Sequence, residues 1–432
     1  MTPRYSVFYF PSMDEKQVFK NLLGLTRPWY VSLVEIDAQK HRVDVWIEHE
    51  RNIVFACPEC GKHCSIYDHA AERVLRHLNA FEHETFLHIR LPRVRCAEHG
   101  VRLILSDFGE NNSAMTYAFE SHLIAMAQEC SIEGVGRLCN VSWDSGWNVV
   151  ERAVARGRDR KPFRLPERMG VDEKSIAKGH KYESLVYDLD CGTVEYVCDN
   201  RRQESLESYY RMFTQEELTQ VKVVTMDMWE PFIAATRAYV PNAESKIVFD
   251  RYHVMRYTVD AVDKVRKQEH AILRKNGDET LKGTKYLWLW SQENMPEYRK
   301  GEFEELRSKD LRVCRAWVIK ENLRHLWDYR YEKCMRDYFD KWYWWATHSR
   351  LAPVKKAAAT LKAHIDNIVT YAKHRITNAL GESVNAKIEK AKRMACGFRN
   401  RDHYKTAIYF HCGGLDLFPR PATSPALRWA PA

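Results

Sequence analysis

Four potential metal ligands stand in two short knuckles of the sequence, a C-x-x-C pair and a C-x-x-H pair: Cys57, Cys60, Cys96 and His99. Three thiolates and one imidazole suit a closed tetrahedral zinc site, in which no coordination position stays open for a substrate. We therefore predict a structural Zn²⁺ at these residues, with Cys64 or His63 as a substitute ligand. Two unrelated pairs, or a redox-active C-x-x-C, are the alternatives.

A second set of candidate residues consists of acids that follow apolar, strand-like runs. Asp172 follows the first such run of an α/β region, Asp227 closes the run 221–226, and Asp250 closes the run 246–249. Carboxylates gathered at one sheet edge repel each other unless a cation joins them, and Mg²⁺ is an ion that carboxylates hold. Asp172 and Asp227 together therefore predict a divalent-cation site. Loops are polar, so any single Asp could also simply end a strand.

A third candidate is a basic helix, predicted from about Ala379 to Met394. Glu382 lies in its first turn, and Asn385 lies roughly beneath it at helical spacing. Positively charged side chains in the last turns stabilise the C-terminal end of the helix and could also contact phosphates. The residues expected to contact DNA phosphates are Lys387, Lys390, Lys392, Arg393, Arg399 and Arg401. A solvated amphipathic surface is the alternative.

A helix-turn-helix is predicted between residues 131 and 160. The run 132–139 carries one apolar stripe, Ser142 could cap the next helix, and Trp147 and Val150 would form its inner side. The second helix would be the recognition helix. The residues expected to contact bases or backbone are Trp143, Asn148, Arg152 and Arg156. Helix pairs of this kind also occur in proteins that never bind DNA.

The composition of the 432-residue chain supports a folded, DNA-associated protein. Its 45% hydrophobic content supplies material for several cores, and this excludes a mostly disordered chain. The net charge is +9, and residues 361–432 hold twelve Lys and Arg against five Asp and Glu, which favours a polyanionic partner. No run approaches the ~18 apolar residues of a membrane span. We expect a cytoplasmic, nucleoid-associated protein with reduced cysteines and no membrane partner.

Taken in the order in which they occur along the chain, the motifs resemble those of bacterial insertion-sequence transposases of the DDE superfamily, specifically the IS-L-three (ISL3) group. The resemblance rests on the zinc knuckles, the helix-turn-helix, Gly170-Val-Asp172-Glu, Asp227-Met-Trp, Phe249-Asp-Arg-Tyr-His253 and the block from Thr377 to Asn400. It extends from about Leu22 to Leu415. The second knuckle departs from the pattern, because relatives often have two cysteines there.

The resemblance implies a DNA transposase that binds terminal inverted repeats and catalyses 3′-end cleavage and strand transfer into target DNA. The implied catalytic acids are Asp172, Asp227 and Glu382, and they would hold two Mg²⁺ (or Mn²⁺) ions roughly 3.5–4 Å apart. The implied supporting residues are His253, Asp250 and Asn385. Double-stranded DNA, as transposon end and as target, and further copies of the chain are the implied partners.

Two other functions remain as alternatives at this stage. A non-enzymatic zinc and helix-turn-helix regulator would need the DNA-binding modules but not the acids. A structure-selective nuclease with an RNase H-like fold would need the acids but not an end-recognition module.

The expected fold class is multidomain α+β, and the resemblance implies an RNase H-like α/β catalytic core that an all-helical insertion interrupts. The predicted segments are 1–110 (strand pair and zinc-binding module), 111–165 (helix-turn-helix), 166–255 (first part of the core), 256–370 (helical insertion), 371–418 (second part of the core) and 419–432 (flexible tail).

Overall fold

The structure is a computed structural model that describes residues 14–177, 181–376, 379–421 and 429–431. The chain forms two compact units. The N-terminal unit comprises the described residues of Met1–Lys161 and Leu415–Ala432, and the core unit comprises those of Pro162–Gly414.

The N-terminal unit contains most of the short strands. Up to residue 161 its elements are α1 (Glu15–Leu22), β1 (Trp29–Asp37), β2 (Arg42–His49), β3 (Ile53–Ala56), β4 (His63–Cys64), β5 (Ile66–His69), β6 (Arg73–Ala80), β7 (His83–Ile89), β8 (Pro92–Cys96), β9 (Gly100–Leu103), α2 (Tyr117–Glu129), α3 (Ile132–Cys139) and α4 (Trp143–Arg160).

The core unit alternates strands and helices and then becomes helical. Its elements are β10 (Arg168–Ala177), β11 (Lys181–Asp188), β12 (Thr193–Asp199), α5 (Gln203–Tyr210), α6 (Gln215–Thr219), β13 (Val223–Met226), α7 (Glu230–Tyr239), β14 (Ile247–Phe249), α8 (Arg251–Lys275), α9 (Lys285–Leu289), α10 (Glu297–Arg307), α11 (Arg312–Leu323), α12 (Glu332–His348), α13 (Ala352–Ala363), α14 (Ile365–Val369), α15 (Tyr371–His374), α16 (Ala379–Met394) and α17 (Arg401–Cys412). A last strand, β15 (Trp429–Pro431), belongs to the N-terminal unit.

Three sheets build the N-terminal unit. The largest has the strand order β1-β2-β7-β6, in which β2 and β7 run parallel, and the two three-stranded sheets have the orders β15-β3-β4 and β5-β8-β9. Val43, Val45 and Ile47 of β2 are buried between more exposed neighbours, as period-two alternation requires. The strand pair predicted within residues 1–110 corresponds to β1 and β2, which pair antiparallel.

The end of the chain differs from the sequence-based expectation. Residues 429–431 form β15, which pairs antiparallel with β3, so a flexible tail is the wrong description for these three residues. The free edge of β3 opposite β4 offers unpaired backbone groups, and the chain end occupies it. Residues 422–428 and 432 of the predicted tail, and Thr377 of the quoted motif block, lie outside the described residues.

The helices α2, α3 and α4 follow the sheets, and α3 and α4 form the predicted helix-turn-helix pair. Ser142 caps α4, because its side chain accepts a hydrogen bond from the backbone N–H of Ser145. The turn approaches α3 closely: a Cβ on Gly136 would lie 2.8 Å from the carbonyl oxygen of Val141. Trp147 and Val150 are buried, as predicted for the inner side of α4.

A mixed five-stranded sheet with the order β12-β11-β10-β13-β14 forms the centre of the core unit. The first three strands in that order are antiparallel, and β13 and β14 run parallel to β10. Every residue of β13 and β14 is buried, which is typical of strands covered on both faces. Between β14 and α16 the chain packs helices around large aromatic side chains, including Trp288, Phe303 and Trp342.

Asp172 lies inside β10 and not at a strand end, so that part of the sequence-based expectation is wrong. The longer strand β10 pairs with β13 only through residues 168–170, whose partners are residues 223–225. Continuing this register places Asp172 beside Asp227, the first residue after β13. The neighbouring strand, and not β10 itself, therefore ends at the level of Asp172.

Candidate catalytic and metal-binding sites

Asp172 and Asp227 form the centre of the acidic site in the core unit. Their carboxylates interact electrostatically, and His253 Nε2 lies 3.0 Å from Asp227 Oδ1. Burial raises the pKa of Asp172, and the charge of Asp227 raises it further, although the hydrogen bond from Asn385 acts in the opposite direction. A cation bound between the two acids would relieve this repulsion.

Both carboxylate oxygens of Asp172 have a hydrogen-bond donor. Asn385 Nδ2 of α16 donates to Asp172 Oδ2 over 2.6 Å, and the backbone N–H of Glu173 donates to Asp172 Oδ1 over 2.7 Å. The hydroxyl of Tyr187 in β11 donates to Asn385 Oδ1 over 2.7 Å. Sequence reasoning missed Tyr187. The available signal was Gly170, which stands opposite Tyr187 in the sheet and leaves room for its ring.

Glu382 lies in the first turn of α16, and its side chain is exposed. Among the described residues, the carboxylates of Asp172, Asp227 and Glu382 do not all lie within 4.8 Å of one another. Asn385 stands one helical turn further along, so the Cβ atoms of Glu382 and Asn385 are about 5–6 Å apart. Because Asn385 contacts Asp172, Glu382 lies one helical turn from the residue that joins α16 to this acid.

Asp250 has a different role from the other acids. Its carboxylate accepts hydrogen bonds from the backbone N–H groups of Tyr252 (2.6 Å) and His253 (3.2 Å) and thereby caps α8. The pKa of His253 is raised: burial lowers it, but the hydrogen bond and charge of Asp227 and the charge of Asp250 outweigh that effect. Asp250 thus holds the helix end that carries His253.

Arg201, which no sequence motif indicated, places its guanidinium next to Glu173. Arg201 stands between two aromatic rings, with Cζ 4.4 Å from the ring centre of Tyr182 and 4.7 Å from that of Trp229. Its Nη1 lies 3.2 Å from Glu173 Oε1. Stacking on two rings restricts the side chain, so a fixed cation stands beside the residue that follows Asp172.

The basic residues of α16 are divided between two faces. Val384, Ile388 and Ala391 form the buried stripe. Glu382, Lys387, Lys390 and Arg393 are exposed; around the helix axis, Lys390 and Arg393 lie within about 80° of Glu382, and Lys387 lies about 140° away. Lys392 is partly buried and donates to the carbonyl oxygen of Ser175 over 2.7 Å.

The two predicted phosphate contacts beyond α16 differ from each other. Arg399 is exposed. Arg401 has acidic neighbours in its own unit, because Nη1 lies 3.5 Å from Asp199 Oδ1 and Nε lies 4.0 Å from Glu183 Oε1. Arg401 is therefore already engaged by local carboxylates.

The helix-turn-helix presents fewer of the predicted DNA contacts than expected. Arg156 is mostly buried and lies 2.6 Å from Glu120 Oε1, and Arg152 lies 2.8 Å from Glu120 Oε2. The Glu120 carboxylate is only 2% exposed, so both guanidinium groups are directed inward to neutralise it. This placement disagrees with a role in reading bases. Trp143 and Asn148 are exposed on α4, and the ring of Trp143 stacks on Trp147.

The four knuckle residues of the N-terminal unit converge. Their ligand atoms all lie within 4.8 Å of one another, and three of the separations are Cys57 Sγ–His99 Nδ1 at 3.8 Å, Cys60 Sγ–Cys96 Sγ at 3.7 Å and Cys96 Sγ–His99 Nδ1 at 3.6 Å. A tetrahedral zinc about 2.3 Å from sulfur and about 2.1 Å from nitrogen would separate two sulfurs by about 3.8 Å and sulfur from nitrogen by about 3.6 Å. The donor set therefore fits zinc.

The surroundings of this cluster also suit a bound cation. Hydrogen bonds from the backbone N–H groups of His99 and Glu98 lower the pKa of Cys96 to about 6, which favours the thiolate that metals bind. The second ring nitrogen of His99 lies 3.5 Å from Glu59 Oε2, the outer partner that metal-bound histidines commonly have. The thiol of Cys64 instead donates to the carbonyl oxygen of Lys62. Neither Cys64 nor His63 belongs to the converging group.

Comparison with known proteins gives the family. A family model described as a transposase, of the DDE type and the ISL3 group, matches residues 169–408. A second one, described as the zinc-finger of the transposases of IS204, IS1001, IS1096 and IS1165, matches residues 53–99. Because the first match covers more than half of the chain, the protein belongs to the ISL3 group of insertion-sequence transposases. The resemblance noted in the sequence is thereby confirmed.

The chain matches the transposases of two insertion sequence elements over most of their length. The chain is 27% identical to the transposase for insertion sequence element IS1557 of Mycobacterium tuberculosis over 417 residues, which cover 90% of this chain and 93% of the relative. It is 24% identical to the transposase for insertion sequence element IS1001 of Bordetella parapertussis over 356 residues, which cover 81% and 87%. Membership in the family implies an enzyme that cuts and transfers DNA. In the described part of the chain, no helix is long and apolar enough to cross a membrane.

Proposed function

We propose that this chain binds the terminal inverted repeats of an insertion sequence and catalyses 3′-end cleavage and strand transfer, with Asp172, Asp227 and Glu382 as a DDE triad. The observation that carries the proposal is the hydrogen bond of Asn385 to Asp172. It ties the helix of Glu382 to the sheet position at which Asp172 and Asp227 lie side by side. A DNA-binding regulator would have no need for this arrangement.

The sheet of the core unit supports an RNase H-like catalytic core. Numbered within the unit, its strand order is 3-2-1-4-5, with the first three strands antiparallel and the last two parallel to strand 1. Asp172 lies on the central strand and Asp227 follows its parallel neighbour. On this proposal, segments 166–255 and 371–418 form one core, and 256–370 is a helical insertion.

The residues that would hold the divalent cations are the three acids. Asp172 would contact both ions, and Asp227 and Glu382 would each hold one. Mg²⁺ or Mn²⁺ bound there would activate the attacking oxygen and stabilise the leaving oxygen of the scissile phosphodiester. Asp172 and Asp227, whose partly buried carboxylates repel each other, fit such ions.

Other side chains of the core unit would prepare this site. His253 would hold Oδ1 of Asp227 in place, and Asp250 would hold His253 through the cap of α8. The exposed Lys390 and Arg393 lie on the side of α16 that carries Glu382, and the exposed Lys387 lies further around the helix. They would neutralise the DNA backbone on either side of the scissile phosphate without reading bases.

The N-terminal unit would recognise the transposon ends. A structural Zn²⁺ at Cys57, Cys60, Cys96 and His99 would stabilise the fold of the knuckles, and α4 would present Trp143 and Asn148 to DNA. Cutting and joining two ends requires both to be held together, so we propose a homodimer or larger assembly on DNA. As an enzyme acting on bacterial DNA, it would work in the cytoplasm at the nucleoid.

End processing by the purified protein tests the proposal. The DNA flanking the gene should carry inverted repeats, and a labelled duplex of one repeat should be nicked at the transposon 3′ end in Mg²⁺. A pre-nicked duplex with a 3′-hydroxyl should be joined to a target plasmid, whereas the same duplex with a 3′-hydrogen should not. If the repeat is neither nicked nor joined under conditions in which it is bound, the proposal is wrong.

A further inference from the structure

We propose, on the basis of the triad proposed above, that Tyr187 is a positioning residue of the catalytic site, which acts through Asn385 on the carboxylate of Asp172. Two hydrogen bonds in series carry this inference. The Tyr187 hydroxyl donates to Asn385 Oδ1 over 2.7 Å, and Asn385 Nδ2 donates to Asp172 Oδ2 over 2.6 Å. They join three elements, β11, α16 and β10.

The hydroxyl of Tyr187 determines which end of the Asn385 amide faces Asp172. An amide side chain has a carbonyl acceptor at one end and an NH₂ donor at the other, and a carboxylate can only accept. With the hydroxyl donating to the carbonyl, the NH₂ group must face Asp172. The opposite orientation would set the amide oxygen against a carboxylate oxygen, two acceptors with no proton between them. Without the hydroxyl, the amide loses the contact that selects the correct orientation.

Tyr187 is itself held rigidly. Its side chain is 0% exposed, and it pairs in register with Gly170 of β10. A Cβ on Gly170 would lie 3.2 Å from Tyr187 Cδ2, so the absence of a side chain there makes room for the ring. The ring therefore lies over β10 two residues before Asp172 and cannot move without repacking the sheet.

Burial alone does not account for the hydroxyl contact of Tyr187. Tyr209 and Tyr404 are equally buried in the same unit, and within the described residues their hydroxyl oxygens have no hydrogen-bond partner. Buried phenols of this unit thus occur with a polar contact, as in Tyr210 with Thr236, and without one, so burial by itself does not dictate the contact of Tyr187.

The consequence concerns metal binding more than folding. The helix α16 packs through Val384 and Ile388, and that packing does not involve the hydroxyl. Removing the hydroxyl should leave α16 docked but let the Asn385 amide rotate, so that Asp172 Oδ2 is no longer fixed. A ligand that must be ordered when the cation binds lowers the affinity for the cation.

Tyr187→Phe in the full-length, zinc-loaded chain tests the inference, with Mn²⁺ as the probe. Mn²⁺ binding would be measured directly by electron paramagnetic resonance, and end cleavage would be titrated with Mg²⁺. We expect roughly tenfold weaker Mn²⁺ binding, the factor equivalent to about 1.4 kcal/mol for one hydrogen bond within a charged chain. The Mg²⁺ concentration that gives half-maximal end cleavage should rise by a similar factor.

Tyr209→Phe is the matched control, because it removes a buried hydroxyl that has no partner, and it should leave Mn²⁺ binding unchanged. Asn385→Ala should weaken Mn²⁺ binding as well, and adding Tyr187→Phe to it should have no further effect, since Tyr187 acts through Asn385. Unchanged Mn²⁺ affinity in Tyr187→Phe, or full additivity in the double variant, overturns the inference. Failure of the triad proposal would look different: Asp172→Asn would then bind Mn²⁺ as tightly as the unaltered protein.

Discussion

Glu183 allows a quantitative test of how a buried charge affects the stability of the core unit, because its carboxyl is fully buried. Its side chain is 0% exposed on β11, and Arg401 Nε lies 4.0 Å from Glu183 Oε1. Burial, followed by the charge of Asp199, raises the pKa of Glu183 to about 7. Lys405 and Arg401 act in the opposite direction but do not cancel the shift.

The sign and size of the effect follow from this shift. A carboxyl whose pKa is higher in the folded than in the unfolded state contributes stability that is complete below the unfolded pKa and is lost as the pH rises through the folded pKa. With an unfolded pKa of 4.5 and a folded pKa of about 7, the loss between pH 5 and pH 8 is roughly 2–3 kcal/mol. The pKa of Asp199 is lowered, so its own titration lies below this window.

The variant Glu183→Gln should remove this pH dependence. The free energy of unfolding of the variant minus that of the unaltered protein should be roughly 2–3 kcal/mol more positive at pH 8 than at pH 5, whatever constant cost the buried amide adds. Urea unfolding of the core unit, followed by tryptophan fluorescence at both pH values, measures the difference. Glu204→Gln, at an exposed position of α5, is the control and should show no such change. An equal effect of Glu183→Gln at the two pH values would refute the reasoning.

Three further predictions concern the other sites. Cys57→Ser should reduce the zinc content from about one equivalent per chain and unfold the N-terminal unit, as metal analysis and circular dichroism would show; a zinc-free but folded unaltered protein would reject the site. Lys390→Ala with Arg393→Ala should lower the slope of log affinity against log salt by roughly 0.9 per contact on transposon-end and random duplex alike, and an unchanged slope would place this face of α16 away from DNA. Arg156→Ala should destabilise the N-terminal unit by roughly 3–5 kcal/mol, because it leaves the buried Glu120 with one cation fewer, while the preference for transposon ends among folded molecules stays unchanged; a specific loss of that preference in a stable protein would restore Arg156 as a base reader.

Much of the acidic site could be predicted from the sequence, because the pattern that marks its acids lies within a few neighbouring residues. Asp227 and Asp250 follow short runs of buried residues, and such runs are visible in the residue types alone. The bounds of α16 were also predictable, because its apolar residues recur at helical spacing. The position of Asp172 within β10 was not predictable, since the difference in length between β10 and β13 arises only when the strands pair.

The features that the sequence did not reveal depend on contacts between distant segments. Arg152 and Arg156 have the spacing of an exposed basic helix face, yet Glu120, more than 30 positions earlier, draws both inward. Tyr187 looked like an ordinary strand residue, and its partner Asn385 lies 198 positions away. The strand β15 was missed because three residues carry almost no periodic signal and form a strand only through β3.

The central claim is that Asp172, Asp227 and Glu382 act together, and Glu382 is its most demanding part because its carboxylate stands apart from the other two. The most direct measurement is Mg²⁺-dependent 3′ cleavage of a labelled transposon-end duplex by Glu382→Gln, compared with Glu389→Gln, which removes the same charge elsewhere on α16. The account predicts that Glu382→Gln binds the duplex but leaves it uncut, whereas Glu389→Gln cuts it normally. A Glu382→Gln protein that nicks the end at the rate of the unaltered enzyme would contradict the account and make Glu173 or Asp250 the candidate for the third acid.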